Sequence, residues 1–223
     1  MLIQSVIKFD FMKALVIGAT GSTGKFLVEE LLKDNDYTSV VTFVRKPSGK
    51  EHSKLTEHIV NFDAIESFKD QISGDVLFSC LGTTLKAAGS KEKQWKIDFD
   101  IPAAFALAAK QNEVKSFVLV SSYGASANSS VFYSKMKGKL EDYIAELNFG
   151  QYIIFRPGPL VREDSDRLGE KISVKLFNFL NAIGILTKFK PLETQLLAQK
   201  LVKAPKILLT GKKIIELKEI FEF

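Results

Sequence analysis

Tyr133 and Lys137 stand four residues apart in 133-YSKMK-137, soon after the serine pair Ser121-Ser122. On a helix, that spacing puts the phenol and the ammonium on one face. An ammonium beside a phenol favours the phenolate, which suits the pair to passing a proton between an alcohol and a carbonyl. A serine hydroxyl held beside them would orient the carbonyl oxygen. The same spacing occurs by chance in many helices, where the tyrosine is a core residue with a wet hydroxyl. Its weight here comes from the serine pair ending an apolar run and from a glycine loop upstream.

That loop, 17-IGATGSTGKF-26, sets Gly18, Gly21 and Gly24 at intervals of three, with Thr20, Ser22 and Thr23 among them. It follows the apolar run from Ala14 to Ile17 and opens a segment of helical spacing. Glycines in that context permit a tight turn and let backbone N–H groups and a positive helix end approach a dinucleotide pyrophosphate. A triphosphate loop is the competing reading, because Ala19-x4-Gly24-Lys25 partly fits. Phe26 defeats it by standing where a hydroxyl would bind magnesium. A plain glycine-rich turn is the bland alternative. At the end of the second apolar run, 41-VTFVRKPS-48 offers Arg45 and Lys46 where a site for a free ribose 2′-hydroxyl would carry Asp or Glu. A guanidinium takes a 2′-phosphate through two hydrogen bonds and stacks on adenine, so the expected cofactor is NADP(H). The alternative is a pair of solvated loop charges.

These residues need elements to place them. Short apolar runs near 13–18, 39–44, 57–61, 75–80, 115–121 and 150–155 alternate with helical spacing near 24–33, 65–71, 92–110, 133–148 and 170–183. Runs such as Phe117-Val118-Leu119-Val120 lack inside–outside alternation, as strands covered on both faces do. The expected fold is α/β: a Rossmann-type doubly wound parallel sheet in one domain over 12–223. Residues 160–223 would form a small C-terminal extension on the substrate side, with a helix near 193–203 and a closing strand at 213–217. Met12-Lys13-Ala14 opens the first strand as an initiator would, leaving 1–11 as an N-terminal extension.

Composition narrows the function further. The chain has 223 residues, 46% hydrophobic and 26% charged, which suits one core of ordinary size. A net charge of +5 comes from basic residues scattered among acidic ones, so no nucleic-acid surface is expected. One cysteine excludes an internal disulfide, and two histidines leave no metal-ligand cluster. Cys80 reads as an inert buried thiol. No apolar run is long enough to span a bilayer, and a cytoplasmic location is expected.

Through the glycine spacing, Ser121-Ser122 and Tyr133-x-x-x-Lys137, the chain from Met12 onward resembles the short-chain dehydrogenase/reductase superfamily, in its atypical or extended branch. More narrowly, 80-CLGTTLKAAG-89, 133-YSKMKGKLE-141 and 155-FRPGPLVRE-163 are similar to the TIP30/HTATIP2-like group of small NADPH-binding oxidoreductases. The resemblance implies Ser122 as the substrate-orienting hydroxyl, Tyr133 as acid/base, and Lys137 as the residue that binds the nicotinamide ribose and tunes Tyr133. It implies Asp63 near the adenine, where the alternative is a helix N-cap. Leu81, Gly82 and Thr83 would line the cofactor, and Arg156, Pro157 and Gly158 would approach its nicotinamide end. Only eleven positions separate Ser122 from Tyr133, shorter than the family's usual spacing, so the choice between Ser121 and Ser122 stays open. The implied function is hydride transfer between NADP(H) and a small carbonyl or alcohol. The alternatives are a nucleoside-diphosphate-sugar epimerase or dehydratase, against which the short tail argues, and a non-catalytic NADPH-sensing regulator. Helices 92–110 and 133–148 would pair two copies in a homodimer by analogy.

Overall fold

The computed structural model describes residues 11–161, 190–208 and 210–223. Seven parallel strands form one sheet in the order β3-β2-β1-β4-β5-β6-β9. They are β1 Met12–Ile17, β2 Tyr37–Val44, β3 Leu55–Ile59, β4 Val76–Ser79, β5 Ser116–Val120, β6 Gln151–Arg156 and β9 Gly211–Glu216. Leu160–Val161 (β7) and Leu192–Glu193 (β8) pair separately, in parallel. The order reverses between β1 and β4, and the ends of those two strands open the crevice where a doubly wound sheet binds ligands.

The apolar runs lack alternation because both faces are covered. Along β1, Met12, Ala14 and Val16 join one core cluster and Leu15 and Ile17 the other. Helix α1 (Gly24–Lys33) and helix α6 (Thr194–Ile207) cover the first face through Leu27, Leu31, Leu197 and Leu201. On the second, α4 (Ile101–Gln111) and α5 (Phe132–Glu146) supply Phe105, Ala109, Leu140 and Ile144.

The expected helix over 92–110 is three pieces. These are α3 (Lys91–Trp95), a wider π-turn over Lys96–Asp100, and α4. Pro102 explains the break, because it has no N–H to give the carbonyl four residues back, at Asp98. The segment expected as helix over 65–71 is instead two 3₁₀ turns, Phe62–Ser67 and Lys69–Gln71, with Asn61 capping the first by accepting from the Asp63 N–H. Between β4 and α3 lies the single turn α2 (Leu85–Ala88), and α7 (Lys218–Glu222) closes the chain. The expected helix over 170–183 and the extension 1–11, except Phe11, lie outside the described residues.

The described tail does more than face a substrate. β9 adds the seventh strand, and Gln151 of β6 holds α6 by donating to the carbonyls of Pro205 (3.2 Å) and Leu208 (2.9 Å). Tyr37 of β2 donates its hydroxyl to the Val202 carbonyl at 2.9 Å.

Candidate active site and cofactor groove

The glycine loop is built so that two positions admit no side chain. Gly18 has φ +79°, and a Cβ there would lie 2.6–2.7 Å from the backbone of Cys80 and Leu81. A Cβ on Gly24 would lie 2.0 Å from the Gly18 carbonyl oxygen. The loop therefore folds flat against the end of β4 and delivers its backbone to the first turn of α1, which carries no side-chain cap. From there a groove runs past Gly18, Thr20, Gly21, Arg45, Phe62, Ile97 and Ile101. At Gly21 and Cys80–Thr83 it joins a cavity of about 520 Å³ whose wall includes Ser22, Thr23, Ser121, Tyr133 and Lys137. A long ligand with a phosphate centre and an aromatic group at each end fits this sequence of surfaces: an apolar slot, a glycine cradle, then a polar cavity.

Lys137 is buried, and its ammonium sits 3.1 Å from Asp98 Oδ1, 5.9 Å from the centre of the Tyr133 ring and 3.4 Å from the Leu81 carbonyl to which it donates. Asp98 is fully buried, and its other oxygen accepts the Thr83 N–H at 2.9 Å. One carboxylate thus ties the loop 81–83, which lines both the groove and the cavity, to the base of the Tyr/Lys pair. The ion pair is close but not aligned as a hydrogen bond, so Oδ1 has no hydrogen-bond donor among the described residues. Burial opposes the charge on Lys137, yet Tyr133 and Asp98 together outweigh it and raise the lysine pKa above its ordinary value. The first turns of α5 are held in place by backbone contact. Gly138 lies so near the 121–130 loop that a Cβ would meet Ala127 N and Ser126 C at 2.2 Å.

The serine that reaches the cavity wall is Ser121. Its hydroxyl donates to Glu141 Oε1 at 2.5 Å, and Arg156 grips the same carboxylate through Nε (3.1 Å) and a terminal nitrogen (2.6 Å). Ser122 is half-buried, and its hydroxyl reaches the Tyr123 carbonyl at 3.4 Å, away from that wall. Arg156, Pro157 and Gly158 also stand outside the wall. Arg156 is turned to Glu141 and Glu216, the Pro157 carbonyl accepts from Tyr123, and Leu160 is the nearby residue that reaches the cavity. Asp63 pairs with Lys96 at 2.5 Å on a neighbouring hollow, while Phe62 lines the groove in its place. Arg45 lies in the groove, and Lys46 is exposed beyond it.

Asp98, Glu141 and Phe62 were not singled out from the sequence. Glu141 had a signal, since it follows Lys137 by four, as Lys137 follows Tyr133, and so lies on the same face. Cys80 lines both parts of the site, and burial pushes its thiol up to about 12 against the opposing charge of Lys137. Among the described residues, no group of three acidic, histidine or cysteine side chains is placed to hold a metal.

The profile of a family described as NAD(P)H-binding matches residues 18–177, from the first loop glycine onward. This chain belongs to that family. Within it, the NAD(P)H-binding chain is 34% identical to Protein HTATIP2 of Rattus norvegicus over 78% of its own length and 73% of the relative's. It is 36% identical to Protein FMP52, mitochondrial, of Candida albicans, over 82% of each. The family assignment, the HTATIP2 relative and the fold together make it an atypical short-chain dehydrogenase/reductase of the TIP30-like group. A UDP-glucose 4-epimerase of Thermotoga maritima, solved with UDP-glucose, shares the fold at a TM-score of 0.69 and 17% identity, over 92% of this chain and 76% of that one. The family binds a nicotinamide cofactor, and the glycine cradle and groove fit one. The relatives overturn the cytoplasmic expectation, because several carry "mitochondrial" in their names. No helix among the described residues is long and apolar enough to cross a membrane.

Proposed function

We propose that this NAD(P)H-binding chain is an NADP(H)-dependent oxidoreductase that interconverts a small carbonyl compound and its alcohol. The observation that carries the reading is the convergence of Tyr133, Lys137 and Ser121 on the cavity that continues the glycine-lined groove. When bound, the reduced nicotinamide supplies a hydride to the carbonyl carbon. Tyr133 gives its phenolic proton to the carbonyl oxygen, which leaves the alcohol and a phenolate stabilised by the Lys137 ammonium. Lys137, whose position is fixed by Asp98 and the Leu81 carbonyl, would also hold the nicotinamide ribose. Ser121 has committed its proton to Glu141 and so presents lone pairs, which accept a hydrogen bond from Tyr133 or from the alcohol O–H. Arg45, on the groove wall, would take the 2′-phosphate, and the loop backbone with Ser22 and Thr23 the pyrophosphate. The names of the relatives support a mitochondrial location for this chain too, checked by fractionating cells that express it with a tag.

The test is NADPH consumption against a panel of small aldehydes and ketones, with Tyr133→Phe beside the wild type. Turnover that falls by about 10²–10⁴-fold in the variant while NADPH affinity is kept would agree with the proposal. Equal turnover in both proteins would remove Tyr133 from the chemistry. Tight NADPH binding without any turnover would make the chain a cofactor-binding regulator.

A further inference from the structure

The cavity beyond the cofactor groove carries a charge that the reaction scheme does not use. Among the described residues its wall contains two ammonium groups, Lys137 and Lys91, and no carboxylate. Lys137 is neutralised from behind by Asp98. Lys91 is exposed at the first residue of α3, and no carboxylate lies within ion-pair distance of it among the described residues, although the neighbouring Glu92 feels its charge. Its ammonium lies 5.4 Å from the centre of the Phe132 ring, and Phe132 is the residue directly before Tyr133. The unpaired cation is therefore held by an aromatic face next to the proton donor. The described wall also carries apolar side chains, Leu85 and Val131, which are 46% and 60% exposed, with Phe132 and Leu160, alongside the polar Thr84 and Gln94. Exposed apolar side chains gathered round a cavity mouth are waiting for an apolar body to cover them. A lone ammonium at the same mouth favours a ligand that brings a negative charge.

We propose that the substrate is an anionic carbonyl compound, an apolar body ending in a carboxylate, and that Lys91 receives the carboxylate while the carbonyl lies against Tyr133. The proposal rests on the reductase reading of this cavity and deepens it by giving the class of substrate. In that arrangement Lys91 is a specificity residue. It acts on which carbonyl compound enters and leaves the cofactor and the proton transfer untouched.

The test titrates 4-phenylbutanoate and its neutral analogue 4-phenylbutanamide, calorimetrically, into the full chain with and without NADP⁺ present. The wild type should bind the acid at least about tenfold tighter than the amide, an advantage that shrinks as salt is raised. Lys91→Met should bring the two probes to parity, Lys91→Arg should keep the preference, and all three proteins should bind NADPH alike. Equal binding of acid and amide by the wild type would overturn the proposal. So would a preference that survives Lys91→Met, or the failure of both probes to bind. Failure of the reductase reading shows separately, as loss of NADPH binding or of turnover, and the titration without NADP⁺ still tests Lys91 in that case.

Discussion

Lys137 is a buried ammonium whose charge is kept by Tyr133 and by Asp98, 3.1 Å away, against the cost of burial. Its raised pKa gives the sign of a pH effect. The stability its charge contributes is complete below the ordinary lysine value of 10.5 and is lost as pH rises through the higher folded-state value. Unfolding free energy should thus show no loss from this group between neutrality and pH 9. Asp98→Asn removes the balancing charge but keeps the shape, and leaving a buried charge unpaired costs about 3–5 kcal/mol. Urea unfolding should record a loss of that size at pH 7. The variant's loss should shrink as pH rises and Lys137 sheds its proton, because burial alone pushes a lysine pKa down. A loss near zero at pH 7 would mean that Asp98 does not hold the lysine. Cys80 gives a second check. With its thiol raised to about 12, iodoacetamide at pH 8 should modify it roughly a thousandfold more slowly than a free thiol. A fast reaction would show the crevice to be wetter than the structure has it. Tyr133 and Lys137 were legible in the sequence because four-residue spacing is a local property. Asp98 was not, because its role exists only once the turn before Pro102 has swung it under α5.

At the scale of elements, the alternation of strands and helices was readable because parallel strands covered on both faces are short unbroken apolar runs, and all six runs over 13–155 overlap observed strands. What local pattern could not give was the interruption of regular helix. Pro102 withholds one helical N–H, and within the π-turn before it Asp98 accepts from Thr83 and pairs with Lys137. That Ser121 rather than Ser122 lines the cavity is likewise an element property, set by which residue after β5 reaches Glu141 of α5, a carboxylate that Arg156 holds in turn. Helix α5 supplies a prediction in which two effects compete. In an isolated helix Gly138→Ala would stabilise by roughly 1 kcal/mol. Here the new Cβ would press on the Ser126–Ala127 backbone at 2.2 Å, so the substitution should instead destabilise the protein and displace Tyr133 and Lys137. The comparison is with Gly124→Ala, where nothing lies within 4 Å and a φ of +77° is the cost. Thermal unfolding with NADPH titration separates them. Gly138→Ala should lose both stability and cofactor affinity, and Gly124→Ala stability alone.

At the scale of the whole molecule, the helix α6 of the tail packs back against α1 and β2. The tail's described part follows the expected extra strand and helix, yet its packing was not legible, since Tyr37 donates to Val202 across 165 positions and Lys206 reaches Asp34 and Asp36. Tyr37→Phe deletes one buried donor and leaves the Val202 carbonyl without it, so urea unfolding should show a loss of about 1–2 kcal/mol with an unchanged slope. An unaltered midpoint would mean that α6 does not need this bond. The groove and the cavity meet at Gly21 and Cys80–Thr83, and the central claim concerns what lies along both. Arg45 lines that groove, outside the cavity that Tyr133 lines, and under the proposed function it is the charge that would select NADPH. The most direct measurement is calorimetric titration of the wild type and Arg45→Ala with NADPH and with NADH. The account predicts that the wild type prefers NADPH by at least about tenfold, as charge-assisted hydrogen bonds to a phosphate allow, and that Arg45→Ala removes the preference while still binding NADH. Equal affinity for the two cofactors, or binding of neither, would contradict it.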